Sequence, residues 1–200
     1  MNAGTTRRAT PPLAWAWLLT IATAALAGDD GAAPRRFAGK VSTLKIEAAE
    51  LGADWTGPTG LVLDDVADPS SAPEEVRPIA TELAKTLAPL GCRAAADFTY
   101  RKGSDPLDQA TIRVLAFDDE AKARAWWDAK FRDGRARGEY RDLEGLGDEA
   151  LEHGRTARRF VRVGDVVLTA GSLKPGGGHA KILDAYLARL EAASRGGTPR

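Results

Sequence analysis

The sequence contains one cysteine, two histidines and no excess of either charge, and each of these shortages excludes a class of protein. Its 200 residues include 28 basic and 28 acidic side chains, so the formal net charge is zero. Proteins that bind nucleic acids or anionic membrane surfaces usually carry a basic excess, so the composition argues against both functions. A single cysteine, Cys92, excludes an internal disulfide, so we expect packing alone to stabilise the domain.

Sequence motifs for catalysis and metal binding are also missing. His153 lies in the turn sequence EHGR and His179 precedes the last predicted helix, and neither has ligands at metal-site spacing. There is no GxSxG motif, and GSLKPGGGHAK lacks the Gly-Lys-Ser/Thr of a phosphate loop. We therefore predict a non-catalytic protein without metal or cofactor. The alternative is a small secreted hydrolase with scattered site residues, and a histidine beside Ser172 in space would favour it.

The N-terminal residues have the layout of a secretory signal peptide. Arg7 and Arg8 precede an apolar run from 13 to 26, and Ala25-Leu26-Ala27 is a small-x-small cleavage site. The run is shorter than the about 20 residues that a transmembrane helix needs. We predict that residues 1–27 are a signal peptide and that the protein is periplasmic or secreted. An uncleaved N-terminal anchor is the alternative, and it would be the protein's only membrane contact.

The rest of the chain reads as one α+β domain over residues 41–193. Residues 28–40, rich in Gly, Ala and Pro, are predicted to be a flexible linker, and residues 194–200 a disordered tail. Strands joined by tight turns should pair antiparallel, and about three amphipathic helices should pack on the sheet. Trp55 is expected in a loop. The predicted strands are 41–46, 94–102, 111–117, 156–163 and 166–171, and the predicted helices lie near 75–87, 118–132 and 182–190.

The last two of these strands form a predicted hairpin around Gly164-Asp165, a two-residue turn of the primed type. This turn places Val163 opposite Val166 and Val161 opposite Leu168 on an inner face.

The outer face of the hairpin should carry Arg158, Phe160 and Arg162, and Arg101 and Arg113 join them if the neighbouring strands pair. Arginine offers planar donors and phenylalanine a stacking surface, so this face is predicted to bind a small anionic or aromatic ligand or a partner protein. The alternative is an ordinary solvated face on which the arginine stems cover the phenylalanine.

A family resemblance rests on GLGDEALEHGRTARRFVRVGDVVLTAGS, residues 145–172, followed by an amphipathic helix. This stretch resembles small exported bacterial domains, namely the extracellular sensor domains of mycobacterial serine/threonine kinases and related lipoproteins with a PsbP-like α/β sandwich. The likeness covers about a quarter of the chain, which lacks the cysteine pair of some of those domains and any kinase segment. The resemblance implies a binding or sensing module rather than an enzyme and assigns no functional residue.

Overall fold

A computed structural model describes residues 36–174 and 178–194 of the chain. The predicted signal peptide, residues 28–35 of the predicted linker and the tail from residue 195 lie outside this part. The described residues form a seven-stranded antiparallel sheet with four helices, which confirms the predicted α+β class. None of the described helices has the length and apolar character of a membrane-spanning segment.

The sheet is built from two runs of sequentially adjacent strands, one of three and one of four strands, that pair with each other at its centre. Its spatial order is β1-β2-β3-β7-β6-β5-β4, and every neighbouring pair is antiparallel. The strands are β1 Trp55–Leu63, β2 Cys92–Lys102, β3 Gln109–Phe117, β4 Tyr140–Asp142, β5 Glu149–His153, β6 Arg159–Val163 and β7 Val166–Ser172. The helices are α1 Ala48–Leu51, α2 Arg77–Leu87, α3 Glu120–Ala136 and α4 His179–Ser194.

The first face of the sheet is covered along its whole length. Alternate residues of β2 and β3, such as Phe98 and Ile112, point to this face because side chains alternate along a strand. They pack against the apolar stripe of α4, which includes Leu183 and Tyr186, and against the segment before β1. The hydroxyls of Tyr100 and Tyr186 are 2.8 Å apart, so the polar ends of these two buried rings satisfy each other.

The second face is covered over only half of its area. α2 and α3 lie over the end of the sheet that contains Leu115 and Phe117. Trp127 and Phe131 of α3 are fully buried there, as the predicted apolar stripe of this helix requires. The helix begins after Asp119, whose carboxylate accepts a hydrogen bond from the Lys122 amide and satisfies one of the free donors of the first turn.

The hairpin at Gly164-Asp165 has the predicted register. Val163 pairs with Val166 and Val161 pairs with Leu168, and all four side chains belong to the core of the first face. Gly164 has a φ of +56°, which the primed two-residue turn requires and which glycine adopts at little cost.

The segment before β1 differs from the prediction. Residues 41–46 were expected as the first strand, but Val41–Leu44 form a 3₁₀ turn and the first strand starts at Trp55. Val41 and Leu44 are both buried, and their spacing of three residues suits a helical turn better than the period of two in a half-buried strand. Trp55, which was expected in a loop, is the first residue of β1.

Phe37 lies inside the segment predicted to be a linker, yet it is packed into the domain. Phe37 is buried, its amide donates to the Asp165 carboxylate at 2.8 Å, and its carbonyl accepts from the Arg93 guanidinium. The Arg93 guanidinium also lies 5.8 Å from the centre of the Phe37 ring. Burial raises the pKa of Asp165, against the lowering effect of these donors. Ring, amide and carbonyl together fix this residue at the turn of the β6–β7 hairpin.

Candidate functional site

The predicted exposure of Phe160 and Arg162 is wrong, because α3 covers their end of the second face. Phe160 pairs with Thr169 as expected, but only 9% of it is exposed. Its ring packs edge-on against Phe131 of α3, with the ring centres 4.8 Å apart, and against Tyr140 at 5.8 Å. A ring in this position stabilises the core and is not available to stack on a ligand.

Arg162 is buried in a cluster of acidic groups. Only 1% of its side chain is exposed, and its guanidinium donates to Glu149 at 2.9 Å and to Glu120 at 3.2 Å. It also donates to the Gly164 carbonyl at 3.1 Å and lies 3.5 Å from Asp148. These partners use the donors that a ligand would need, so Arg162 acts in the structure of the domain.

The remaining three predicted arginines lie on the uncovered half of the second face. Arg101, Arg113 and Arg158 are all exposed there, since α2 and α3 end before they reach this part of the sheet. The supposed pairing of the neighbouring strands is therefore confirmed. We call this surface the polar half-face; it consists of Thr59, Asp97, Thr99, Arg101, Gln109, Thr111, Arg113, Arg158, Thr169 and Gly171.

Strand register orders the polar half-face into rows that run across the sheet. Thr59, Thr99, Thr111 and Gly171 lie opposite one another on β1, β2, β3 and β7, which gives a row of three hydroxyls beside a bare backbone. Arg158 continues this row, because its side chain lies over Gly171. A Cβ atom added to that glycine would be only 3.1 Å from Nε of the arginine. The small residue therefore makes room for the arginine stem.

An ion pair stands at the centre of the polar half-face. The Arg113 guanidinium donates to both carboxylate oxygens of Asp97, at 2.7 and 2.8 Å. These hydrogen bonds hold the pKa of Arg113 above its usual value. The pair and Arg158 border a depression of about 160 Å³ whose floor includes Thr111 and Gly171. This arrangement presents one fixed, bidentate arginine and one arginine without a fixed partner to the same small volume.

A second depression lies at the β1 edge of the polar half-face. It has a volume of about 360 Å³ and is bordered by Arg101, Gln109, Thr99 and the backbone of Gly57. The register between β1 and β2 shifts between Thr56 and Thr59, so β1 bulges away and opens this space.

The polar half-face is locally positive on a chain that is neutral overall. It carries three arginines and one carboxylate, a formal charge of +3 − 1 = +2, against a net charge of zero for the sequence. Among residues 36–174 and 178–194, neither Arg101 nor Arg158 forms an ion pair. Two cations that are not neutralised by the protein can attract an anionic ligand. Because Phe160 is buried, the prediction of an aromatic ligand loses the ring on which it depended.

A serine and a histidine meet at the start of α4. Ser172 Oγ lies 2.9 Å from His179 Nδ1 and donates to the Lys174 carbonyl at 2.7 Å. A hydroxyl has one proton to donate, and Ser172 donates it to the Lys174 carbonyl. In the hydrogen bond between Ser172 and His179, Nδ1 of the histidine is therefore the donor and the serine oxygen the acceptor. In this arrangement the ring nitrogen that faces the serine is not a base. The pair ties the end of β7 to the first turn of α4.

The single cysteine lies in the core of the second face. Cys92 is buried, and its burial raises the pKa of its thiol to about 12, so the reactive thiolate is scarce at neutral pH. In the described part of the chain, no three side chains of the His, Cys, Asp or Glu type are grouped so that they would bind a metal ion.

Comparison with known proteins gives one structural similarity. The fold is similar to the extracellular domain of PknH from Mycobacterium tuberculosis, with a TM-score of 0.46 and 12% sequence identity, over 78% of this chain and 98% of that one. That protein is of the class that residues 145–172 resemble. No family model and no curated protein matches the chain. We transfer no ligand and no site residue from a similarity of this size.

Proposed function

We propose that the protein is a non-catalytic binding or sensor domain that acts outside the cytoplasm, and that its polar half-face recognises an anionic ligand or partner. The observation that carries this proposal is the pair of unneutralised guanidinium groups, Arg101 and Arg158, on an open sheet face. The signal-peptide pattern of residues 1–27 supports the extracytoplasmic location.

The shape of the polar half-face favours recognition by contact along a surface. Its two depressions are shallow and lie side by side across the paired Thr99 and Thr111. Small-molecule sites, in contrast, usually enclose most of their ligand in one apolar cleft. A flat polar surface with separated charges suits an extended anionic partner, which gains affinity from several weak ion pairs.

Thermal unfolding in the presence of poly-L-glutamate tests the charge requirement. The wild-type melting temperature should rise with polymer concentration, because a ligand of the native state stabilises that state. The rise should disappear in the double variant Arg101→Glu, Arg158→Glu and should shrink at high salt. The double variant Lys130→Glu, Arg132→Glu, at exposed positions on α3, makes the same change in net charge and should respond like the wild type. An equal response of the double variant and the wild type would refute the proposal.

A second candidate function is hydrolysis, and the contact between Ser172 and His179 favours it. Hydrolysis requires that Ser172 give up its hydrogen bond to the Lys174 carbonyl and donate instead to an unprotonated Nδ1 of His179, which would then act as the base. A fluorophosphonate probe tests this candidate directly. Covalent labelling of the wild type that is lost in Ser172→Ala would establish a nucleophilic serine, whereas an unlabelled wild type leaves the binding function as the better account.

A further inference from the structure

An apolar residue, Leu173, borders the polar half-face in the row next to that of Thr111 and Gly171. Leu173 donates its amide to the Gln109 carbonyl at 3.2 Å, which extends the β3–β7 pairing by one residue beyond Ser172. Because side chains alternate along a strand, Leu173 projects on the same side as Gly171 and Thr169. It is 66% exposed, although exposed leucines of this degree are few in the described chain.

The same row carries Arg101, so charge and apolar surface occur together. Arg101 pairs with Gln109 on β3, and Gln109 lies between Arg101 and Leu173. The hairpin turn beside this row presents a further exposed side chain, Leu107, and an ion pair between Asp105 and Lys174 holds the turn against residue 174. The apolar residue thus sits between the two unneutralised arginines.

The spacing of the two arginines sets the length of a ligand that contacts both. Arg101 and the position of Arg158 opposite Gly171 are three strands and one row apart, so their Cα atoms are separated by about 16 Å. An extended peptide advances about 3.3 Å per residue and places residues i, i+2 and i+4 on one side. Residues i and i+4 are then about 13 Å apart, a gap that the long arginine side chains can close.

We propose that the occupant of the polar half-face is an extended acidic segment of a partner protein, with carboxylates at positions i and i+4 and an apolar side chain at i+2. The carboxylates pair with Arg101 and Arg158, and the apolar side chain covers Leu173. This inference rests on the proposed function and specifies its ligand. An acidic polysaccharide would satisfy the arginines but offers no side chain for Leu173, so the peptide fits the surface better.

The test uses the N-acetylated, C-amidated peptide Glu-Ser-Leu-Ser-Glu with a fluorescent label, and binding is measured by anisotropy at low salt. We expect Arg101→Glu and Arg158→Glu each to weaken binding by about fivefold or more, the range of an exposed ion pair that is lost and reversed. Leu173→Ser, and a peptide with serine in place of leucine, should each weaken binding severalfold. Arg132→Glu should leave it unchanged.

Charge exchange between protein and peptide gives the sharpest readout. Two peptides replace one glutamate by lysine, at the first or at the last position. One of them should bind best to Arg101→Glu and the other to Arg158→Glu, because each variant places its new carboxylate at one end of the peptide. Rescue of both variants by the same peptide, or of neither, would overturn the proposal.

Two further outcomes separate this inference from the function on which it rests. If poly-L-glutamate stabilises the protein through Arg101 and Arg158 but the pentapeptide does not bind, the proposed peptide segment is wrong and the anion-binding function of the polar half-face stands. If hyaluronate binds through the same arginines and Leu173→Ser has no effect, a polysaccharide is the occupant and the inference is overturned. If none of these anions binds, both proposals fail.

Discussion

The second face of the sheet carries arginines in both of its halves, and the two halves use them in opposite ways. Under α3, Arg162 is buried and surrounded by acceptors, among them Glu149 and Glu120. On the polar half-face, Arg101 and Arg158 are exposed and form no ion pair within the described residues. The residue type is the same, and Arg158 directly precedes β6, the strand that contains Arg162. The difference is that α3 covers Arg162 and leaves the other two arginines open to solvent. An arginine that is shielded from water must find its hydrogen-bond partners within the protein.

Among substitutions on the two halves of the second face, truncation of the Phe160 ring beneath α3 should cause the largest loss in the free energy of unfolding. Phe160→Ala removes a buried ring that contacts Phe131 and leaves a cavity, so we expect a loss of about 3 to 4 kcal/mol in the free energy of unfolding, measured by urea denaturation. Leu173→Ala, on the polar half-face, should change it by less than about 0.5 kcal/mol. Similar losses for the two variants would mean that α3 does not cover Phe160.

Replacing the buried arginine should have the next largest effect. Arg162→Met keeps most of the volume but leaves Glu149, Glu120 and Asp148 close together without their cation, so we expect a loss of about 3 kcal/mol. Arg113→Met breaks an exposed pair with Asp97 and should cost about 1 kcal/mol or less. The difference between the stability losses of these two variants, measured in the same denaturant, reports how much the burial of Arg162 under α3 raises the cost of removing an arginine. It would be absent if Arg162 were hydrated in solution.

A smaller effect is expected from Glu152 on β5, an acid that two arginines contact. Burial raises the pKa of Glu152, but hydrogen bonds from Arg159 and Arg141 outweigh burial and hold it below its usual value of 4.5. An acid whose pKa is lower in the folded state stabilises the fold above its unfolded pKa and loses this contribution as the pH falls through the folded pKa.

Glu152→Gln should therefore cost about 1 kcal/mol at pH 7 and much less at pH 3, as read from denaturation curves at the two values. Glu144→Gln, at an exposed position in the loop between β4 and β5, serves as the control and should show little difference between the two pH values. A Glu152→Gln variant that loses the same stability at both pH values would contradict the pKa assignment.

Local sequence patterns predict much of the sheet, but they do not predict which part of its second face α3 covers. The turn at Gly164-Asp165 and the alternation of Val161 and Val163 suffice to predict the hairpin register, since turn type and period fix the pairing. The alternation also placed Arg158, Phe160 and Arg162 correctly on one side of the sheet. Alternation does not indicate which part of a side a distant helix covers, and α3 lies more than 20 residues before β6 in the sequence.

The predicted placement of five residues on one open face therefore holds for three of them. Arg101, Arg113 and Arg158 share an open face, as the assumed strand pairing required, while Phe160 and Arg162 do not belong to it. The acids around Arg162 were a signal that could have indicated its burial, because Glu149, the first residue of β5, pairs with Arg162 and Asp148 directly precedes it. Leu173 was overlooked since it follows the predicted end of the strand, and its exposure becomes visible only in three dimensions.

The fixed position of Phe37 has a consequence for how the molecule is presented to its surroundings. The chain enters the described domain at the hairpin turn, where Asp165 receives the Phe37 amide. Gly171 and Arg158 are six residues further along the same strand pair, about 20 Å away. Phe37 and the arginine rows therefore lie at opposite ends of the β6–β7 hairpin, so a group that contacts the chain at Phe37 and a partner bound at Arg158 would not compete for the same surface.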